Sequence, residues 1–138
     1  MPAGVTFTAG SNGTATIAGN PTASGTFTVT LTAANGISPN ATQSLVITVA
    51  PASVPRFTSA ANATATHAKA FSFTVSASGS PAPAITESGA LPTGVTFTPG
   101  NGTASLSGTP TKTGTYRLTF TAKNVAGTAN QTFTLTVN

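Results

Sequence analysis

The chain has no cysteine, no tryptophan and a single acidic side chain, Glu87, among its 138 residues. Without thiols there is neither a disulfide framework nor a thiolate metal site. One carboxylate and one imidazole, His67, do not make up the positioned titratable groups that general acid–base catalysis uses. The converging carboxylates of a calcium site and the ligand set of a zinc site are missing for the same reason. The expectation is a non-enzyme with no catalytic residues, no metal site and no cofactor.

Charge is scarce as well. Only 4% of residues are charged, against roughly 25% in ordinary soluble domains, so hydroxyls and amides must carry solubility. The formal net charge of +4 comes from Arg56, Lys69, Lys112, Arg117 and Lys123 set against Glu87. These cations are scattered, and they do not form the basic face of a nucleic-acid binder. No stretch approaches the roughly 20 apolar residues that span a bilayer, so membrane insertion is not expected. Nor does a charged segment followed by an apolar run open the sequence, so a signal peptide is absent from this segment.

What is present is threonine, the commonest residue, together with eight phenylalanines. Their arrangement is that of a folded all-β chain, because disordered chains are poor in β-branched and aromatic residues. Phe71, Phe73, Val75 and Ala77 alternate with Ser72, Thr74 and Ser76. Tyr116, Leu118, Phe120 and Ala122 alternate with Thr115, Arg117, Thr119 and Thr121. Phe133, Leu135 and Val137 close the pattern. Such period-2 alternation marks strands with one buried face. Shorter strands are expected over residues 56–59, 64–66, 84–87, 95–98 and 104–107, punctuated by Gly and Pro. The Ala-rich segment 60–70 lacks helical apolar spacing and reads as turn or strand.

Comparing the chain with itself reveals a repeat. Pro2-Ala3-Gly4-Val5-Thr6-Phe7-Thr8 recurs as Pro92-Thr93-Gly94-Val95-Thr96-Phe97-Thr98, and residues 12–19 recur as 101–108. Pro21, Gly25, Phe27 and Asn35 map onto Pro110, Gly114, Tyr116 and Asn124, and residues 43–49 onto 131–137. A period of about 90 residues suits a complete β-sandwich. The division that follows is a partial repeat over 1–49, a proline-stiffened linker over 50–55, and a complete sandwich over 56–138.

The motifs Leu91-Pro92-Thr93-Gly94-Val95-Thr96-Phe97, Gly108-Thr109-Pro110, Thr113-Gly114-Thr115-Tyr116 and Phe133-Thr134-Leu135-Thr136-Val137 resemble the "putative Ig" family of bacterial surface and secreted proteins. The resemblance implies an immunoglobulin-like or cadherin-like antiparallel β-sandwich, in extracellular or cell-surface arrays that include adhesins and appendages of secreted hydrolases. Tyr116 stands where the tyrosine of a tyrosine corner would.

The leading functional expectation is a structural or adhesive module, a spacer or filament subunit. Its partners would be copies of itself or neighbouring Ig-like repeats. The alternative is a carbohydrate- or cell-wall-binding accessory module using loops at one end, although the aromatics fall at inward positions and leave no sugar-stacking platform. Two residue sets carry specific chemistry. Lys69 and Glu87, with several Asn residues in the chain, are the raw material of an intramolecular amide cross-link. Val5, Phe7, Phe27, Val29, Leu31, Leu45 and Ile47 are apolar positions of the partial repeat with no facing strands of their own; strand donation between chains would cover them, and the rival reading is that the chain is a segment of a longer tandem protein.

Overall fold

The computed structural model describes residues 1–138 and contains strands and turns without a helix. The chain divides into two compact units, Met1–Pro51 and Ala52–Asn138.

Unit 1 is two antiparallel hairpins. β1 (Val5–Ala9) pairs with β2 (Ala15–Gly19), and β3 (Gly25–Ala33) pairs with β4 (Ala41–Val49). The strands keep the expected alternation, yet Pro2 is the one fully buried side chain of the unit. Phe27, Val29, Leu31, Leu45 and Ile47 are half-buried and Phe7 is 47% exposed. Burying a large apolar side chain completely is worth about 1.5–3 kcal/mol, so unit 1 leaves much of that stabilisation unrealised.

Unit 2 is a sandwich of nine strands: β5 (Ser53–Phe57), β6 (Asn62–Ala65), β7 (Phe71–Ser80), β8 (Ala84–Gly89), β9 (Val95–Thr98), β10 (Gly100–Asn101), β11 (Thr103–Gly108), β12 (Gly114–Asn124) and β13 (Gly127–Val137). One sheet has the order β10-β8-β12-β13-β6 and the other β5-β7-β11-β9. All pairings are antiparallel except that of β6 with β13, which is parallel.

The expected inward residues meet between these sheets. Val75, Leu106, Leu118, Phe120, Phe133 and Leu135 are at most 1% exposed, while the hydroxyl residues between them face out. Phe133 lies 4.9 Å from Phe73 and 5.0 Å from Phe120 between ring centroids, and Phe97 stacks on Phe120 at 5.8 Å. These are the separations at which aromatic pairs add to the gain from burial alone. The ring chain runs from β7 through β13 and β12 to β9, so it joins the two sheets.

Two local features differ from the sequence expectation. Ser53–Phe57 is a strand, although residues 50–55 read as a linker. Pro55 is accommodated at a register irregularity between Ser53 and Arg56, where no ladder donor is needed. The hairpin of β12 and β13 also extends to Asn124 and Gly127, well beyond the strictly alternating apolar residues, because strand pairing continues where core contact has ended.

The turn before β9 shows why glycine recurs there. Gly94 has φ +89°, a region side chains other than glycine's rarely adopt, and a Cβ would collide with the Thr109 carbonyl. Gly4 in unit 1, at φ +82°, is confined in the same way by the Asn20 carbonyl.

Candidate functional site

Chemistry-bearing side chains are few, and the sheets disperse them. No three His, Cys, Asp or Glu residues come together in a way that could hold a metal ion. His67 is exposed in the turn after β6, where its Nε2 donates to the Thr111 carbonyl at 3.1 Å and its amide donates to the Asn138 carbonyl at 2.7 Å. It ties the turn after β6 to Thr111 and to the residue that follows β13.

Lys69 and Glu87 are not brought together. Lys69 is exposed in the turn between β6 and β7, whereas Glu87 lies on β8. β12 and β13 stand between β8 and β6 in the sheet, a lateral separation of about 14 Å at the usual strand spacing. An amide cross-link requires the two groups in contact within an apolar interior, and this arrangement does not provide it.

Glu87 occupies an unusual position for the only acid of the chain. In register it sits opposite Phe120, and Gln131 sits opposite Phe120 from the other side. Cross-strand partners share a face, so Glu87, Phe120 and Gln131 form a row on the inner surface of the sheet. Glu87 Oε1 and Gln131 Oε1 are both buried without a hydrogen-bond partner, while Gln131 Nε2 donates to the Ser59 carbonyl at 3.2 Å. Burial pushes the Glu87 carboxyl above its ordinary range.

The most completely satisfied polar side chain is Asn124, at the end of β12. Its Nδ2 donates to the carbonyls of Ser53 at 2.8 Å and Pro81 at 2.9 Å. Its Oδ1 accepts from the amides of Ala126 at 2.9 Å and Gly127 at 3.2 Å. One side chain thereby ties the start of β5, the β7–β8 loop and the β12–β13 turn. The signal for it in the sequence was its recurrence as Asn35, which marks the position without revealing the partners.

Tyr116 Oη donates to the Lys112 carbonyl at 3.3 Å, the backward bond of a tyrosine corner. Phe27 holds the corresponding place in unit 1 without a hydroxyl.

The outer face of the four-stranded sheet carries hydroxyls in rows. Thr74, Ser105 and Thr98 are register partners across β7, β11 and β9. With Pro99 and Thr103 they line an open depression of about 320 Å³. It contains no aromatic ring and no charged group, so it offers hydrogen bonds without a stacking surface or an electrostatic anchor.

A family model described as "Putative Ig domain" matches residues 54–138. No curated protein matches the chain significantly. Among solved structures, titin domain M7 is similar with a TM-score of 0.51 at 22% identity, covering 65% of this chain and 99% of that one. A "putative alpha-galactosidase" of Bacteroides fragilis gives 0.53 at 24% identity over 61% of this chain, and an endo-fucoidan hydrolase of glycoside hydrolase family 107 gives 0.56 at 19% identity over 100% of it. The matched segments are only 17% and 22% of those two hydrolase chains. At such identities the likeness is one of fold. The family model spans most of the chain and nearly all of unit 2, and the chain therefore belongs to the Putative Ig domain family.

Proposed function

We propose that this chain is a non-catalytic structural module, a spacer within an extracellular or cell-surface array of Ig-like repeats. The observation that carries the reading is the parallel pairing of β6 with β13. Thr134, Leu135, Thr136 and Val137 lie in register with Asn62, Ala63, Thr64 and Ala65. Further bonds extend the seam from Thr134 N to the Ala61 carbonyl at 3.0 Å and from Asn138 N to the Ala65 carbonyl at 3.0 Å.

In a parallel pair, the N-terminal end of one strand and the C-terminal end of the other lie at opposite ends of the seam. Tension entering before β6 and leaving after β13 therefore shears these bonds together, where an antiparallel hairpin would unzip them one at a time. A dispersed set of cations, an uncharged hydroxyl surface and a core that takes nearly every aromatic ring suit a spacer for the same reason: nothing is reserved for chemistry. Adhesion and assembly by strand donation extend this reading, with neighbouring repeats or further copies as the partners.

Pulling unit 2 between its termini in a single-molecule force experiment tests the reading. A distinct rupture peak is expected, lowered by His67→Pro, which removes the 2.7 Å amide donor to Asn138. Extension of the unmodified unit without a resolvable peak would sink it.

The depression around Thr74, Thr98 and Ser105 favours one second reading, a carbohydrate-binding accessory module, and similar folds occur as small parts of glycoside hydrolases. Specific retention on a glycan array, lost in Thr98→Ala, would promote it over the spacer.

A further inference from the structure

Sheet register gathers two of the five cations of the chain on one face. β12 is the central strand of the five-stranded sheet. Its residues Leu118, Phe120 and Ala122 are buried, so Arg117, Thr119, Thr121 and Lys123 point outward. Thr121 stands between Thr86 of β8 and Asn130 of β13, and Thr119 stands between Ser88 and Thr132. Arg117 lies opposite Thr134, and Lys123 lies opposite Thr128. Cross-strand partners share a face. The outer surface is therefore a grid of hydroxyls and amides with a cation towards each end of its central strand, and at the usual rise per residue the two cations stand about 20 Å apart.

The fold does not require these charges. In the internal repeat, β3 carries Thr28 and Ala34 where β12 carries Arg117 and Lys123. Nor does an acid neutralise them. Both cations are exposed, whereas Glu87, between the outward Thr86 and Ser88, turns its side chain to the inner surface. The polar groups between the cations are already oriented. Thr121 Oγ1 donates to Asn130 Oδ1 at 2.9 Å, which leaves the Nδ2 N–H groups of Asn130 as donors. The hydroxyls of Thr86 and Ser88 donate to the carbonyls of Thr121 and Thr119, each at 3.5 Å, so their oxygens remain acceptors. Donors and acceptors thus lie side by side between two positive positions.

We propose that the outer face of β8, β12 and β13 is a docking surface for an extended polysaccharide with sparse uronic acids, laid along β12 with its carboxylates at Arg117 and Lys123. Charge complementarity selects an anionic partner, and charge spacing selects among anions. Two cations about 20 Å apart leave most charges of a dense polyanion unpaired, as with duplex DNA and its one charge per roughly 1.7 Å. A chain in which neutral sugars separate the acidic ones avoids that mismatch. Its hydroxyls both donate and accept, as do the side chains they meet. The Arg117 guanidinium has the planar fork that holds a carboxylate through two parallel bonds. This face is distinct from the depression around Thr74, which belongs to the four-stranded sheet.

Affinity electrophoresis of the full chain tests this in gels containing gellan, whose uronic acids are separated by neutral sugars. Polygalacturonate, at equal carboxylate concentration, and uncharged dextran occupy parallel gels. Gellan should retard the chain more than either does, and the effect should fade at high salt. Arg117→Gln combined with Lys123→Gln should weaken retention by gellan roughly tenfold, the worth of two exposed ion pairs. The melting of unit 2 should stay unchanged, because both side chains lie outside the core. Lys69→Gln combined with Lys112→Gln removes the same charge from exposed turns outside this face and should leave retention within about twofold. Equal loss in the two double variants would reduce the effect to net charge and overturn the proposal. So would stronger retention by polygalacturonate, which would select dense charge, or no retention by gellan. The rupture force of unit 2 is measured separately, so the spacer reading can survive when this one fails.

Discussion

Asn124 donates through Nδ2 to the carbonyl of Ser53 at 2.8 Å, across 71 residues of chain. The bond fastens the first strand of unit 2 to the turn between its last two, and it is one of four that this amide makes.

Asn124→Ala should destabilise unit 2 by about 2–4 kcal/mol, since four bonds of modest net worth are lost and the carbonyls of Ser53 and Pro81 lose their donor. Asn124→Asp keeps the acceptor for Ala126 and Gly127 and loses the donors, and it should fall between Ala and wild type. Urea denaturation curves of the three proteins check the order.

The two units allow the same position to be compared in two environments. Leu106→Ala should cost about 2–5 kcal/mol, because Leu106 is wholly buried and the cavity cannot collapse fully. Ile17→Ala, at the equivalent position, should cost less than about 1 kcal/mol, because Ile17 is half-buried. Equal losses measured by thermal unfolding would show that unit 1 has a closed core after all.

Glu87 sets an unusual pH dependence. Its folded carboxyl titrates above the ordinary glutamate range because burial disfavours the charged form. The folded state therefore holds the proton more tightly than the unfolded chain does. Its contribution to stability is fully present below about pH 4.5 and is lost as pH rises through the raised folded value. Denaturation midpoints of unit 2 should thus fall from mildly acid to neutral pH, and Glu87→Gln should flatten that slope. With no other acidic side chain in the chain, the usual loss of stability in acid is expected to be weak.

Tyr116→Phe should cost no more than about 1 kcal/mol, since its bond to the Lys112 carbonyl is long at 3.3 Å and solvent-exposed. Unit 1 carries Phe27 at the corresponding place, so the ring matters more than the hydroxyl. A midpoint shift larger than that of Asn124→Asp would contradict this ranking.

Strand faces were legible because alternation needs only the two-residue period of an extended chain. Phe71 to Ala77, Tyr116 to Ala122 and Phe133 to Val137 all turn the expected side inward. The first part of Ser53–Phe57 was not legible, because Pro51, Pro55 and the register irregularity between Ser53 and Arg56 erase the pattern. The row of Glu87, Phe120 and Gln131 was hidden too: it brings together residues from three strands whose register no local pattern states. The Lys69–Glu87 pairing turns on that same point, since composition supplies the groups and sheet order sets their distance.

By itself the sequence determined that this is an all-β member of an Ig-like repeat family, and that its first part repeats the back half of its second. Those conclusions follow from residue types and spacing, which survive in any arrangement of the strands. Only the tertiary structure decided which of two near-identical strand sets is buried. Leu118 and Val29 stand at matching places in matching hairpins, and β8 pairs with the second edge of Leu118's strand while the corresponding edge of Val29's strand is unpaired. Burial depends on what the rest of the molecule places against a face, and that is a property of the fold and not of the segment.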